Sequence, residues 1–192
     1  MILCDTEIRA ALSSGQIVIE PSPPPENITT TAVDLTLGRE FSRWVPQDEA
    51  TEFSINPSHP RFDYHRIASQ YQEVVPPNGE DGSVVIRPGK FLLGLTQERI
   101  ELPRDSRLAA RVEGRSTMAR LGIGVHVTAP TIHAGFRGRI TLEITNQGEI
   151  PIRLSPGLRI CQLIFEMVFG TPSTGMEGIF QDQASVAGKP AS

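Results

Sequence analysis

One stretch of the chain, Gly114 to Asn146, concentrates the side chains that could do chemistry. It holds four arginines, two histidines and a single glutamate that falls within a strand-like pattern. Guanidinium groups bind phosphate oxygens through paired hydrogen bonds, and a carboxyl group can accept a proton and later return it. The stretch therefore combines candidate groups for holding a phosphate with a candidate general acid and base.

The sequence GRSTMARLG predicts a short helical turn within this stretch. Ser116 is a preferred N-cap residue, the residues after it can form one or two turns, and Gly122 can end them. Free N–H groups at a helix start attract anions, and Arg115 and Arg120 would add fixed positive charge, which would suit a polyphosphate. The same residues also fit an ordinary surface turn with two solvated arginines.

The sequence RITLEITN predicts a strand with two different faces. Aliphatic residues alternate in it with Thr141, Glu143 and Thr145. Glu143 is then either an ordinary solvent-facing residue or, if the polar face lines a cleft, a group that acts in turn as base and acid. His126 and His133 flank the strand. Each can be structural, and nothing supplies the third ligand that a zinc site would need.

The elements around this stretch are mostly short strands separated by glycine and proline, which predicts an all-β barrel or sandwich. One helix is predicted near the N-terminus, capped by Asp5 and ended by Gly15. Residues 46–82 are polar and turn-rich, so we expect a long excursion over the surface. From Gly170 onward we expect a flexible tail with Phe180 as its one aromatic anchor.

Composition narrows the class of protein. A chain of 192 residues with 39% hydrophobic and 21% charged residues predicts one globular domain. The net charge of −4 argues against a nucleic-acid partner. No apolar run reaches the ~20 residues of a membrane span and no leader is evident, so we expect no membrane partner and a cytoplasmic location. Cys4 and Cys161 lie far apart and are expected to be buried free thiols.

Several sequence blocks, in order, resemble the dCTP deaminases of the trimeric dUTPase superfamily. They are EGRSTMARLGIGVHVT, IHAGFRGRITLE and IPIRLSPGLRICQLIFE, together with LCDTEIRAALSSGQIVIEP, VDLTLG and RPGKFLLGLTQERIELP. The resemblance is weak only over residues 46–82 and the tail. It implies a mainly β fold, a distorted antiparallel β-barrel of the dUTPase-like, β-clip type, in a homotrimer with sites between subunits. We expect residues 1–169 to form the domain and residues 170–192 a tail that closes over the site.

The resemblance also implies an activity, the zinc-independent hydrolysis of dCTP to dUTP and ammonia. Mg²⁺ would arrive with the triphosphate, no side chain would be a metal ligand, and dTTP is a candidate inhibitor. The chain lacks the HxE and PCxxC signature of zinc nucleobase deaminases. Glu143 would be the catalytic acid and base. The implied substrate-binding residues are Arg115, Ser116, Thr117, Met118, Ala119, Arg120, Thr128, Ala129, His133, Thr141, Leu142 and Gln183.

Two departures from the family pattern keep other functions open. His133 stands where the family usually has an aspartate, and Ile179 and Phe180 replace a usual lysine and tyrosine. One alternative is a dUTP diphosphatase, alone or after deamination, but in dUTPases water attack on the α-phosphate depends on an aspartate in the His133 segment. Another is a regulatory trimer that binds nucleotide without catalysis. The histidine predicts deamination without appreciable dUTP hydrolysis.

Overall fold

The computed structural model describes residues 1–45, 54–173, 180–183 and 185–186. Within these ranges the chain forms three α-helices, which are α1 (Asp5–Ser13), α2 (Tyr64–Tyr71) and α3 (Ser116–Arg120). The strands are β1 (Val18–Glu20), β2 (Val33–Trp44), β3 (Gln72–Val74), β4 (Val84–Ile86), β5 (Phe91–Glu101), β6 (Leu108–Gly114), β7 (Ile123–Gly124), β8 (Thr131–Ile132), β9 (Arg137–Asn146), β10 (Ile152–Leu154) and β11 (Arg159–Met167).

The strands pair into one large antiparallel sheet and one small one. The large sheet has the order β7-β9-β5-β2-β11-β6-β8, with β1 on β5 and β3 on β2, and the small sheet pairs β10 with β4. Every pairing among these strands is antiparallel. The mainly β fold that the sequence predicts is therefore confirmed.

The strand that carries Glu143 alternates as its sequence predicts. Along β9 every second residue from Gly138 to Asn146 is buried, and the residues between them are only half-buried from Arg139 onward. The buried aliphatic side chains join the core, where each contributes about 1.5–3 kcal/mol relative to an exposed position. Pairing with β5 sets Glu143 opposite Leu93 and Thr141 opposite Leu95. The core thereby fixes which face of β9 the glutamate occupies.

The predicted N-caps of α1 and α3 are both wrong by one residue. Helix α1 is capped by Cys4 rather than Asp5, and α3 by Arg115 rather than Ser116, because those residues keep an extended backbone. At α1 the Glu7 side chain accepts a hydrogen bond from the Cys4 backbone N–H, completing a capping box. The predicted stop at Gly122 is confirmed, since it adopts a φ of 84° that favours glycine.

The surface excursion contains an element that the sequence analysis missed. Helix α2 lies within residues 46–82, and Asp63 caps it by accepting a hydrogen bond from the Arg66 N–H at 3.1 Å. The rest of the described excursion consists of turns, loops and the short strand β3, while residues 46–53 lie outside the described ranges. The predicted strand GIGVHVTAP is only partly formed, as β7 followed by a loop. One further hydrogen bond still joins this loop to β9, from the Glu143 N–H to the Val125 carbonyl at 3.1 Å.

The two cysteines occupy different environments. Cys161 is a buried free thiol as predicted, and burial, with smaller contributions from Glu98 and Asp34, raises its pKa. Cys4 is free but exposed, so the expectation of burial is wrong for it, because it caps α1 at the surface. Within the described ranges, no helix combines the length and apolar character of a membrane span.

Candidate active site

A cavity of about 310 Å³ lies beside β9 and is lined by consecutive residues of this strand, Ile140 to Glu143. Strand β9 supplies Thr141 and Glu143, the loop between β7 and β8 supplies His126 and Ala129, and α2 supplies Tyr64. The cavity brings together six of the residues predicted to act on the substrate, which are Ala129, His133, Thr141, Leu142, Glu143 and Gln183.

The Glu143 carboxylate is held in a defined orientation within this cavity. Its Oε2 accepts a hydrogen bond from the Val127 N–H at 2.8 Å. Its Oε1 has no hydrogen-bond partner among the described residues. A carboxylate accepts several hydrogen bonds, so Oε1 can still receive one from a water molecule or a substrate amine. Glu143 therefore has the placement that a general acid and base requires.

Both histidines that flank β9 line the cavity. His133 is exposed and lies on a turn in which its carbonyl accepts the Phe136 N–H at 3.1 Å. His126 is half-buried, and its Nδ1 is buried with no hydrogen-bond partner among the described residues. An unpaired buried ring nitrogen is costly, so it offers a favourable contact to a polar ligand group. His126 flanks β9 in the sequence but was not among the predicted substrate-binding residues.

The arginine turn is a separate region, because no residue of α3 is among the described residues that line the cavity. The Arg115 guanidinium lies 3.3 Å from the carboxylate of Asp34, whose side chain is only 2% exposed. Asp34 also accepts a hydrogen bond from the Gln162 amide at 3.2 Å and lies 3.7 Å from the Arg159 guanidinium. Arg115 is therefore anchored to the sheet, and its remaining N–H groups are left for a ligand.

The other residues of the turn divide into a buried one and exposed ones. Met118 packs in the core, so its side chain is not placed to contact a ligand. Ser116, Thr117, Ala119 and Arg120 are exposed, and no described residue forms a hydrogen bond or ion pair with the Arg120 guanidinium. Thr128 is also exposed, beside the cavity residue Ala129 but outside the described lining. The turn thus presents unpaired polar groups to the exterior of this chain.

The described part of the tail docks along β9. The Gln183 amide donates to the Arg139 carbonyl at 2.6 Å, and the Gln181 amide donates to the Gly135 carbonyl at 2.9 Å. Asp182 forms a two-pronged ion pair with Arg137. This contact lowers the pKa of the Asp182 carboxyl and raises the pKa of the Arg137 guanidinium. Gln183 reaches the cavity as predicted, while residues 174–179, 184 and 187–192 lie outside the described ranges.

Tyr64 was missed as a cavity residue, because the excursion that carries it was expected to run over the surface. The sequence does contain a pattern for helix α2, since Asp63 is a good N-cap and Ile67, Ala68 and Tyr71 follow at helical spacing. That pattern predicts a helix, yet nothing in it predicts which part of the sheet the helix would contact.

The chain matches known proteins over most of its length. A dCTP deaminase-like family model matches residues 2–168. The chain is 42% identical over 165 residues to "dCTP deaminase, dUMP-forming" of Methanobrevibacter smithii, covering 86% of this chain and 79% of that protein. It is 44% identical over 166 residues to "dCTP deaminase" of Natronomonas pharaonis, covering 86% and 80%.

A solved structure has the same fold. It is the 2'-deoxycytidine 5'-triphosphate deaminase from Agrobacterium tumefaciens, with a TM-score of 0.62 and 22% sequence identity. The match covers 86% of this chain and 48% of that chain. Together with the match of the family model to residues 2–168, these relatives show that the chain belongs to the dCTP deaminase-like family.

Proposed function

We propose that the protein hydrolyses dCTP to dUTP and ammonia, with Glu143 as the catalytic acid and base. The observation that carries this proposal is the placement of Glu143 in the cavity, with Oε2 held by the Val127 N–H. The choice of dCTP is supported by relatives that are 42% and 44% identical and are named dCTP deaminases.

In the proposed reaction Glu143 moves protons in two stages. The carboxylate accepts a proton from a water molecule as the water oxygen attacks C4 of cytosine, and the same carboxyl then protonates the ring nitrogen. A second proton, from the added hydroxyl, passes through Glu143 to the amine, which leaves as ammonia while the C4 carbonyl forms. Thr141 and the unpaired Nδ1 of His126 line the same cavity and can bind the pyrimidine edge.

The triphosphate would bind the arginine turn of another subunit. In support, α3 presents exposed Ser116, Thr117 and Arg120 and lies outside the described lining of the Glu143 cavity. A homotrimer in which α3 of one chain faces the cavity of the next would complete the site. The exposed hydroxyls can donate hydrogen bonds to phosphate oxygens, while Mg²⁺ would arrive bound to the triphosphate. Cytoplasmic location and inhibition by dTTP belong to the same proposal.

A second candidate is deamination followed by hydrolysis to dUMP. It is favoured by the M. smithii relative, which is named as dUMP-forming. Against it, the residue at the cavity rim is His133, and an imidazole is a poorer group than a carboxylate for orienting a water molecule at the α-phosphate. We therefore propose dUTP as the main product.

The test is to incubate the purified protein with dCTP and Mg²⁺ and to measure ammonia, dUTP, dUMP and pyrophosphate. We expect ammonia and dUTP from the wild type. Loss of the Glu143 carboxylate in Glu143→Gln should lower the rate at least ~10²–10⁴-fold, the contribution of a general acid and base, while nucleotide still binds. The matched control is Glu149→Gln, the same change on an exposed loop residue outside the cavity.

Each other outcome points to a different function. Mainly dUMP and pyrophosphate from the wild type would replace the proposal with the dUMP-forming candidate. Nucleotide binding without any ammonia would indicate a non-catalytic regulatory trimer. Normal ammonia release by Glu143→Gln would remove Glu143 from the catalytic role.

A further inference from the structure

Helix α2 forms part of the wall of the Glu143 cavity, although the proposed reaction gives it no role. Its first residue, Tyr64, lines the cavity together with the tail residues Phe180 and Gln183. Tyr64 and Phe180 are more than a hundred residues apart in the sequence, so proximity in the chain does not bring them together. A specific contact therefore has to join them.

That contact is an aromatic cluster around Phe180. The ring of Phe180 meets the ring of Tyr64 edge to face, with centroids 5.2 Å apart and an interplanar angle of 83°. His65 approaches the same phenylalanine at 6.5 Å. Edge-to-face packing at these distances is favourable beyond the area that it buries. Phe180 is thus held by α2, and it is the aromatic residue that the sequence singles out in the tail.

Tyr64 is itself fixed in place. Asp63 caps the helix that begins with it, and the Tyr64 hydroxyl accepts a hydrogen bond from the Gln72 amide at 3.3 Å. The ring also packs edge to face with Trp44 of β2, with centroids 6.2 Å apart. A ring held by its backbone, its hydroxyl and a neighbouring ring is a preorganised surface for the tail to dock on.

The tail is also held by β9. The Asp182 N–H donates to the Arg137 carbonyl at 2.7 Å, and the Arg139 N–H donates to the Gln183 carbonyl at 3.2 Å. The segment 180–183 therefore contacts α2 through Phe180 and β9 through its next three residues. It joins the two elements at the edge of the cavity that holds Glu143.

We propose that Tyr64 is a positioning residue for the reaction. It docks Phe180 so that segment 180–183 closes one edge of the Glu143 cavity and holds Gln183 at its wall. The kinetic part of this inference rests on the proposed function, because closure matters to catalysis only if the cavity binds substrate. Closure of an active site by a docked segment excludes bulk water and holds the substrate in place.

The test compares three variants of the full-length protein. Tyr64→Ala removes the ring, Tyr64→Phe keeps the ring but loses the bond to Gln72, and Phe62→Ala removes an aromatic ring just before the helix and outside the cavity. The first readout needs no nucleotide and is hydrogen exchange at the Asp182 and Arg139 amides. We expect about three- to tenfold faster exchange in Tyr64→Ala, and wild-type rates in the other two variants.

The second readout is steady-state kinetics with dCTP. We expect Tyr64→Ala to raise KM by about three- to tenfold with a smaller change in kcat, and Tyr64→Phe to restore the wild-type values. Melting temperature is measured for every variant, so that an unfolded Tyr64→Ala is recognised. In that case Phe180→Ala replaces it, with the same expected results.

The outcomes separate this inference from the proposed function. Wild-type exchange rates in a folded Tyr64→Ala would overturn the docking role whether or not dCTP is a substrate. Faster exchange with unchanged KM and kcat would overturn the positioning role. If the wild-type protein does not deaminate dCTP, the proposed function fails, and the exchange rates still decide whether Tyr64 docks the tail.

Discussion

The cavity beside β9 and the arginine turn at α3 are built in opposite ways. The cavity is assembled from distant parts of one chain, and its central carboxylate is fixed by the Val127 N–H. At the turn the Arg115 guanidinium is held by the buried Asp34 and Met118 packs in the core, while Arg120 projects without a described partner. In the proposed homotrimer, the Glu143 half of the site would be formed within one subunit and the arginine turn would complete the site of its neighbour.

Under the proposed function the two regions have separate roles. A proton-transfer group has to be oriented closely, and the surroundings of Glu143 provide that. A phosphate-binding group needs charge and free N–H donors, which an exposed arginine provides even before a ligand arrives. Variants near Glu143 should therefore slow the chemical step, whereas variants of the arginine turn should lower nucleotide affinity.

The largest effect on affinity should come from Arg120→Ala. The change removes a charge-assisted contact to phosphate worth about 1.5–3 kcal/mol, so dCTP should bind roughly 10- to 150-fold more weakly. Deoxycytidine, which has no phosphate, should bind as it does to the wild type. Calorimetry with both ligands measures the two affinities directly.

The control for that variant is Arg87→Ala, which removes another exposed arginine, outside both α3 and the Glu143 cavity. It should leave both affinities unchanged. If Arg120→Ala weakens dCTP and deoxycytidine by the same factor, the turn has a structural role and the division between the two regions is wrong.

A smaller effect is expected at the rim of the cavity, from His133→Asp. The carboxylate should leave the deamination rate within about tenfold of the wild type, because Glu143 is untouched, while it can orient a water molecule toward the α-phosphate. Chromatography of the products should then show dUMP and pyrophosphate that the wild type does not form. His133→Asn, which lacks the charge, is the matched control and should yield dUTP alone.

The sequence predicted the β fold and the face of β9 that carries Glu143 because both depend on local periodicity, whereas the catalytic role of Glu143 came from the family resemblance and stays a prediction. Alternation along RITLEITN determines which side chains face the core, and the structure places Glu143 on the other face as expected. The helix stop at Gly122 was predicted for a similar local reason, since its backbone conformation favours glycine. Site roles remain predictions, but the grouping of six of the named residues in one cavity supports them.

The sequence did not predict contacts between side chains that lie far apart in the chain. Nothing around Tyr64 indicates that it meets Phe180, and nothing around Asp34 indicates that it pairs with Arg115. The missed N-caps have a different cause, because serine and aspartate are preferred caps only on average, and at Cys4 and Arg115 the extended backbone conformation decides.

In the proposed site Glu143 of one chain works with Arg120 of another, and a mixture of two variants is the sharpest test of this arrangement. Glu143→Gln and Arg120→Ala are each assayed alone, at a dCTP concentration too low for Arg120→Ala to bind appreciably, and are then co-refolded at equal amounts. If the site lies between subunits, about one quarter of the sites in the mixture combine an intact glutamate with an intact arginine. The account predicts activity well above the sum of the two variants, with a maximum at equal amounts. Activity no greater than that sum, from mixed trimers confirmed by mass spectrometry, would contradict it.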